Sequence, residues 1–371
     1  MLPGVVGSGQ GVAAWFRGIL EAGVKVMVDL RTIEQTAVEV VAPKVRRTPL
    51  YTSTSVSEAV GCPRLWLKME NLQRTGSFKI RVATARIARM SLEERRNGVV
   101  AASAGNHAQG VALAARDAGV GAVVVMPLAA SNAKVQATAG YGAEVVLAGA
   151  NFDEAVAVAQ ERARETGAVY VSAYDDDAII AGQGSLGLEV LDELSDVETV
   201  VIPIGGGGLF AGVATAVKER RPGCRVIGVQ ATGADTAARS FHAGRLLDPP
   251  SRVDTIADGI AIKSPSVRTF SYIQKYADDV VTVDDASIAQ AILLLLTRMK
   301  VLVEPSGAAS LAALASHPGI AVGKTVCLLC GGNLDVKLLS DIIERGLVRN
   351  GRYLHFLTDV PDRPGGLAAL L

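Results

Sequence analysis

The segment at residues 75–81 places a lysine where its amine could act as a nucleophile. A Gly-Ser pair precedes Phe78 and Lys79 at the start of an amphipathic pattern, and Ser77 is a suitable N-cap. A cation in the first helical turn meets the positive end of the helix dipole, and Phe78 and Ile80 add apolar surroundings. Both effects favour the neutral amine that a Schiff-base lysine needs. An isolated lysine of this kind is usually a solvated surface residue, so the interpretation depends on other motifs.

A second segment, residues 102–110, joins a predicted strand to a predicted helix. Its backbone N–H groups, together with the side chains of Ser103 and Asn106, can bind an anion at a helix N-terminus, and a carboxylate is the natural ligand. Taken alone, the segment is equally consistent with an ordinary strand-to-helix turn that Ser103 caps.

Four consecutive glycines follow a predicted strand and precede a predicted helix: Gly205, Gly206, Gly207 and Gly208. Such a run lets the backbone surround a phosphate with N–H groups, and a merely structural turn rarely needs four glycines. Two of these glycines and Ala211 also fit a dinucleotide fingerprint, which requires an acidic residue at the end of the next strand. Gln230 stands there instead, so a nicotinamide oxidoreductase is the weaker interpretation.

Two further segments, residues 304–309 and 330–334, place polar side chains beside glycine, and neither predicts a function alone. The four cysteines and four histidines show no spacing typical of zinc sites. Cys327 and Cys330 lie three residues apart in one predicted strand, so their side chains would point to opposite faces. We therefore predict no metal site, and the cysteine content indicates a reducing, cytoplasmic compartment.

Composition excludes several classes of protein. Lys and Arg number 37, as do Asp and Glu, which leaves no net charge and no basic surface for nucleic acid. Hydrophobic residues at 49% and charged residues at 20% exclude a disordered chain. No stretch reaches the ~18 apolar residues of a membrane span. Residues 1–26 make a poor secretory signal, so we predict an N-terminal extension outside the core.

Short apolar strands alternate with helical patterns along most of the chain. Strands are predicted at residues 98–102, 121–126, 143–147, 168–172, 199–204, 225–229, 279–283 and 324–330, with helices between them such as 151–166 and 177–194. Apolar strands separated by helices indicate parallel sheets that are covered on both faces. More than six strands exceed one small sheet, so we predict an α/β fold with two open twisted parallel-sheet domains.

Together these segments resemble, in order as well as in motif, the threonine dehydratases among the fold-type II pyridoxal-phosphate enzymes, whose fold is tryptophan synthase beta-like. The resemblance implies that Lys79 binds pyridoxal 5'-phosphate as a Schiff base and that Phe78 lines its ring. It implies further roles for the other motifs: Ser103, Ala104, Gly105, Asn106 and His107 at the substrate carboxylate, Asn106 also near the ring hydroxyl, the four glycines and Leu209 at the phosphate, and Cys330 at the pyridine nitrogen.

The same resemblance implies a domain organisation. Residues 27–70 and 160–346 would form a large cofactor-binding domain, and residues 71–159 a smaller α/β domain. A strand predicted at 352–358 and a helix near Pro364 are similar to the start of an amino-acid-sensing ACT domain, so we expect a truncated regulatory segment at 350–371. The sequence departs from the family at Val82, where glycine is common. The family also implies a homo-oligomer, either a dimer or a tetramer, in isoleucine biosynthesis or threonine catabolism.

The implied activity is an α,β-elimination that converts L-threonine to 2-oxobutanoate and ammonia, or L-serine to pyruvate and ammonia. Two alternatives remain, a serine racemase on the same scaffold and an amino-acid-sensing regulatory protein. In the racemases a second serine stands at the place of Ala104, whose methyl group can neither donate nor accept a proton. Because a racemase needs a base on each face of its substrate, Ala104 favours the lyase. A neutral Cys330 thiol also favours rapid loss of the β-hydroxyl group over side reactions.

Overall fold

The computed structural model describes residues 27–349, 351–354, 358–360 and 364. The predicted extension at 1–26 and most of the helix predicted near Pro364 lie outside the described residues. The chain divides into two compact units, Met1–Asn333 and Leu334–Leu371, and helix Val336–Arg349 belongs to the second. The strand predicted at 352–358 is wrong where that segment is described, because residues 352–354 and 358 pair with no other strand.

Ten strands form in the described part of the chain. They are β1 (Leu50–Tyr51), β2 (Leu65–Lys68), β3 (Val99–Ala102), β4 (Ala122–Met126), β5 (Glu144–Leu147), β6 (Val169–Tyr170), β7 (Thr199–Pro203), β8 (Arg225–Ala231), β9 (Asp279–Val283) and β10 (Thr325–Leu328). Every residue of β3, β7 and β10 is buried, which explains their continuous apolar sequences.

These strands form two sheets. The six-stranded sheet has the order β1-β2-β10-β7-β8-β9 and is parallel except for β1. The four-stranded sheet has the order β5-β4-β3-β6 and is parallel throughout. The predicted α/β fold with two parallel sheets is confirmed. β6 pairs with β3 in the four-stranded sheet, although its residues fall in the segment predicted for the large domain.

Fourteen helices occur within the described residues. These are α1 (Leu30–Thr36, continued by a π-helical turn over Ala37–Val41), α2 (Thr54–Ala59), α3 (Lys79–Ala88), α4 (Leu92–Asn97), α5 (Asn106–Asp117), α6 (Asn132–Gly140), α7 (Phe152–Thr166), α8 (Asp177–Glu193), α9 (Gly208–Arg220), α10 (Thr236–His242), α11 (Val267–Tyr276), α12 (Asp285–Met299), α13 (Pro305–Ser316) and α14 (Val336–Arg349). None of the described helices combines the length and apolarity that a membrane span requires.

Helix α8 packs against α1, α3 and α9, and so connects helices that are associated with the two different sheets. Its glycines permit this close approach. A Cβ atom at Gly184 would lie 2.4 Å from Ile33, and one at Gly187 would lie 2.9 Å from the carbonyl oxygen of Val213. As a result, the helix that begins at Lys79 and the helix that follows the glycine run share one rigid neighbour.

A buried ion network holds the first turns of α3 in place. The guanidinium of Arg81 is fully buried and donates to the Glu70 carboxylate at 2.8 and 2.9 Å and to the Glu189 carboxylate at 2.7 and 3.0 Å. Lys68, also fully buried, pairs with Glu189 at 3.0 Å and with Glu193 at 2.8 Å. Because each charge is compensated, removal of one partner would cost about 3–5 kcal/mol.

Candidate active site

Lys79 begins α3, and the residues before it are attached to the end of β10. The Phe78 N–H donates to the carbonyl of Cys330 at 3.2 Å, and Ser77 forms an isolated bridge with Gly331. Phe78 occupies the N-cap position, so the predicted cap at Ser77 is wrong. The bridge keeps Ser77 out of the helix, and its buried hydroxyl has no partner among the described residues. That oxygen is available to a ligand.

The Lys79 amine is buried beside an aromatic ring. Its Nζ donates to the carbonyl oxygen of Ala173 at 2.9 Å and lies 5.2 Å from the centroid of the Phe78 ring. Burial lowers the pKa of Lys79 to about 8, although negative charge at Glu304 or Cys330 would raise it. The amine therefore loses its proton far more readily than an exposed lysine does.

The four glycines at 205–208 form a tight turn between β7 and α9. A Cβ at any of the four would lie within 3.1 Å of another atom. At Gly206 it would strike the Tyr174 ring at 2.3 Å, and at Gly207, where φ is +90°, it would lie 2.8 Å from Thr269. Gly207 is also the N-cap of α9, a helix of 13 residues. The turn thus presents bare backbone N–H groups at a helix N-terminus, which is an arrangement that binds phosphate.

Two side chains outside the sequence motifs support this turn. Thr269 Oγ1 donates to the carbonyl oxygen of Gly206 at 2.7 Å, and the Tyr174 ring covers the same glycine. Tyr174 directly follows Ala173, whose carbonyl binds the lysine amine. One short loop therefore contacts both the glycine turn and Lys79. Neither side chain lies in a recognisable pattern, so only the tertiary structure reveals them.

The loop at 103–107 leads into α5. Ser103 Oγ accepts a hydrogen bond from the Gly105 N–H at 3.1 Å, and Gly105 is the N-cap. The His107 ring is buried, and its Nε2 donates to the carbonyl oxygen of Val171 at 2.9 Å. Burial, helped by the charge of Lys79, lowers the pKa of His107 to about 3. His107 is therefore neutral and anchors the loop, and carboxylate binding by the loop stays a prediction.

A chain of hydrogen bonds links segments 304–309 and 330–334, which predicted no function by themselves, to the lysine segment at 75–81. Asn333 Nδ2 donates to the Thr75 carbonyl at 2.8 Å and to Asn106 Oδ1 at 2.6 Å. Asn106 Nδ2 donates in turn to Glu304 Oε1 at 2.6 Å. The residues on this chain come from four separate parts of the sequence, which meet within a few ångströms of each other.

The acidic groups beside Lys79 favour their neutral forms. Burial, with a smaller contribution from the negative charge of Asp258, raises the pKa of Glu304 to about 8. Burial also raises the pKa of the Cys330 thiol well above its usual value, and its Sγ donates to the Leu328 carbonyl at 3.7 Å. The thiol is therefore neutral, as expected from the sequence.

The other predicted positions have structural contacts. Leu209 and Val82 are buried in the hydrophobic core, and α3 remains regular around Val82. Gln230 is fully buried, and its side-chain oxygen accepts a hydrogen bond from the Ala238 N–H at 2.9 Å. No group of three or more His, Cys, Asp or Glu side chains with the geometry of a metal site occurs in the described ranges.

Comparison with known proteins identifies the group that such a site holds. Residues 41–331 match the family model described as pyridoxal-phosphate dependent enzyme. The chain belongs to this family. It is 50% identical over 340 residues to an L-threonine ammonia-lyase of Geobacter sulfurreducens, a match that covers 91% of this chain and 84% of the relative.

Solved structures of this enzyme family share the fold. The processed form of threonine deaminase isoform 2 from Solanum lycopersicum has a TM-score of 0.80 and 36% identity, over 85% of this chain and 87% of that one. Maize serine racemase has a TM-score of 0.81 and 35% identity, over 88% of this chain and 100% of that one.

The described residues fit pyridoxal phosphate. The glycine turn forms a cradle that a single Cβ would fill, and its N–H groups suit a phosphate. The buried Lys79 amine suits an aldehyde, and the unpartnered Ser77 hydroxyl lies two residues before it. The chain is a pyridoxal-phosphate dependent enzyme whose own residues provide the features that this cofactor requires.

Proposed function

We propose that this enzyme is an L-threonine ammonia-lyase that also deaminates L-serine. The observation that carries the proposal is the buried Lys79 amine, which shares a supporting loop with the glycine turn. Two relatives named L-threonine ammonia-lyase support the choice of substrate, since they are 50% and 46% identical over more than nine tenths of this chain. The products would be 2-oxobutanoate and ammonia from threonine, and pyruvate and ammonia from serine.

In this proposal some residues of the chain bind the cofactor and Lys79 transfers the proton. Pyridoxal phosphate, when bound, supplies an electron sink that is conjugated with the substrate amine. The N–H groups from Gly205 to Leu209 would hold its phosphate, and Phe78 would line its ring. Lys79 Nζ, oriented by the Ala173 carbonyl, takes the proton from the substrate Cα. The low pKa of this amine keeps a larger neutral fraction ready for that step than an exposed lysine would have.

The remaining motif residues set the direction of the reaction. The loop at 103–107 binds the substrate carboxylate through its backbone N–H groups, and Asn106 lies near the ring hydroxyl. Cys330 would meet the pyridine nitrogen of the bound cofactor, and its thiol, which its raised pKa keeps neutral, would not stabilise a positive ring nitrogen as a carboxylate would. A neutral thiol at this position would therefore favour loss of the β-hydroxyl group over reprotonation.

A serine racemase is the second candidate, because the maize enzyme shares this fold. Racemisation needs a proton donor on the face opposite Lys79, where the methyl group of Ala104 offers none. Incubation of the enzyme with L-threonine or L-serine should give the 2-oxo acid and ammonia in equal amounts. Chiral chromatography of the remaining serine should find no D-enantiomer. Accumulation of D-serine faster than pyruvate would contradict the lyase.

The substitution Ala104→Ser is a second test of whether the enzyme is a lyase or a racemase. One added hydroxyl at that face should create measurable D-serine while lowering the lyase rate only modestly, with efficiency limited by the lack of an activating neighbour. Ala101→Ser, in the buried strand β3, is the control for a hydroxyl added nearby. If the Ala104 variant forms no D-serine, the assignment of this residue to the open face of the substrate fails.

We further propose finer assignments that the sequence suggests. Residues 350–371 are an ACT-like segment, on the strength of Val360-Pro-Asp-Arg-Pro-Gly. The enzyme works in the cytoplasm as a dimer or tetramer, in isoleucine biosynthesis or threonine catabolism. Light scattering of the purified protein gives its oligomeric state. Rates measured against threonine concentration, with and without isoleucine, test the regulatory segment.

A further inference from the structure

Glu304 is the N-cap residue of α13, but its side chain does not cap that helix. The carboxyl turns instead toward the site, where Oε1 accepts from Asn106 Nδ2 at 2.6 Å. A Cβ at Gly331 would lie 2.2 Å from the same oxygen, so the carboxyl lies directly over the residue that follows Cys330. Glu304 therefore adjoins the 103–107 loop on one side and the end of β10 on the other.

Among the described residues, no cation is a direct partner of this buried carboxyl. Glu304 is 5% exposed, and its hydrogen-bond partners are the Asn106 amide and the Asn333 backbone N–H. Both partners are neutral, in contrast to Glu70, which pairs with Arg81. Burial without ion pairing disfavours the charged form, and the N-terminus of α13 offsets only part of that cost.

Four charged or titratable side chains influence Glu304. Asp258, on the segment that passes beside it, opposes its ionisation, and Lys134, which pairs with Asp258 at 3.3 Å, favours it. Lys79 and the Cys330 thiol respond in turn to the charge of Glu304. Burial is the largest influence and raises the pKa of Glu304 to about 8.

We propose that Glu304 is a positioning residue that must be uncharged for an amino-acid carboxylate to bind at the 103–107 loop. In its neutral form it fixes the Asn106 amide and leaves the loop N–H groups free for the anion. In its charged form it places a second negative charge beside the incoming carboxylate, in surroundings that screen charge poorly. The inference rests on the proposed function for the place of the substrate carboxylate, and it adds that substrate affinity is lost as pH rises.

The experiment measures binding of L-alanine, which has no β-hydroxyl group to lose, to the holoenzyme by the change in visible absorbance. Above pH 8 the affinity of the parent enzyme should fall about tenfold per pH unit relative to Glu304→Gln, since one ionisation is involved. Glu304→Gln keeps an acceptor oxygen for Asn106 and cannot ionise. Comparison of the two proteins cancels the titration of the alanine amine. With L-threonine, the same pH range should change KM much more than kcat.

Asp258→Asn provides a test that leaves Glu304 in place. Removal of this like charge should let Glu304 ionise at lower pH, so the loss of alanine affinity should begin earlier than in the parent. Identical pH profiles for the parent, Glu304→Gln and Asp258→Asn would overturn the proposal. Because alanine binding needs no turnover, an enzyme that binds alanine in this pattern but does not deaminate threonine would contradict the proposed function alone.

Discussion

At the scale of single residues, the site is distinguished by titratable groups whose pKa values burial shifts in favour of the neutral form. Lys79 and His107 have lowered pKa values, while Glu304 and Cys330 have raised ones. In every case loss of hydration is the largest cause. The proposed function would add two anions to this site, the cofactor phosphate and the substrate carboxylate, each placed where backbone N–H groups can bind it.

Lys79→Ala should abolish both turnover and the visible imine absorbance of the purified enzyme. The variant removes the only amine at the start of α3, while the Arg81 network that holds the helix remains. Circular dichroism provides the control for folding, and Lys134→Ala the control for loss of a lysine near the site. A folded Lys79 variant that keeps its colour and activity would refute the assignment.

His107 should make the enzyme sensitive to acid. Its pKa is about 3 in the folded chain and about 6.5 in an unfolded one. Between pH 6.5 and pH 3, His107 is protonated in the unfolded chain but stays neutral in the folded chain. The free energy of unfolding therefore falls by about 1.4 kcal/mol for each pH unit over this range. In His107→Gln, whose amide can still donate to Val171, denaturant unfolding should show a shallower loss.

His242→Gln is the matched control for that measurement. His242 also donates to a backbone carbonyl, that of Val280 at 2.9 Å, but its side chain is 59% exposed. Its replacement should leave the acid limb unchanged. Equal slopes for the parent and the His107 variant would show that another group dominates acid unfolding.

At the scale of elements, the turn between β7 and α9 depends on the absence of side chains. Gly206→Ala would place a methyl group inside the Tyr174 ring, which cannot move without disturbing the loop that holds Lys79. We expect cofactor affinity to drop by at least tenfold, measured by equilibrium dialysis. Gly223→Ala, at an exposed position with no atom within 4 Å of the added Cβ, should bind the cofactor normally. Equal affinities in the two variants would contradict the cradle.

The elements were predictable from the sequence to different degrees. All eight strands predicted between residues 98 and 330 are present, with ends within two residues, because buried parallel strands are continuous runs of apolar residues. β1 has only two residues, and β2 ends in the charged Lys68, so neither produces such a run. Asn106 forms hydrogen bonds with both Glu304 and Asn333, which lie 198 and 227 positions away in the sequence. Spacing along one sequence carries no information about such a meeting.

At the scale of the whole molecule, the cofactor should act as a structural link. The glycine turn follows a strand of the six-stranded sheet, and Lys79 begins a helix that packs on α5 beside the four-stranded sheet. A ligand bound to both stabilises the folded state only. At a free concentration one hundred times its dissociation constant, the gain is about 2.7 kcal/mol.

Removal of pyridoxal phosphate should therefore lower the Tm of the enzyme, and its return should restore it. Differential scanning calorimetry of the dialysed and reloaded protein measures the shift. In Lys79→Ala the same treatment should change the Tm much less, because the covalent part of the binding is gone. Equal shifts in the two proteins would mean that the lysine contributes little to holding the cofactor.

The close crossing of α3 and α5 bears on how this enzyme could be redesigned. A Cβ at Gly110 would lie 2.8 Å from the backbone of Lys79, so at this point the main chains of the two helices are in contact. This contact does not depend on the side chains of the loop at the start of α5. A mutant library that randomises residues 103–105 should therefore yield variants with altered substrate choice and an undisturbed lysine. A library that includes Gly110 should yield active clones only where glycine is retained.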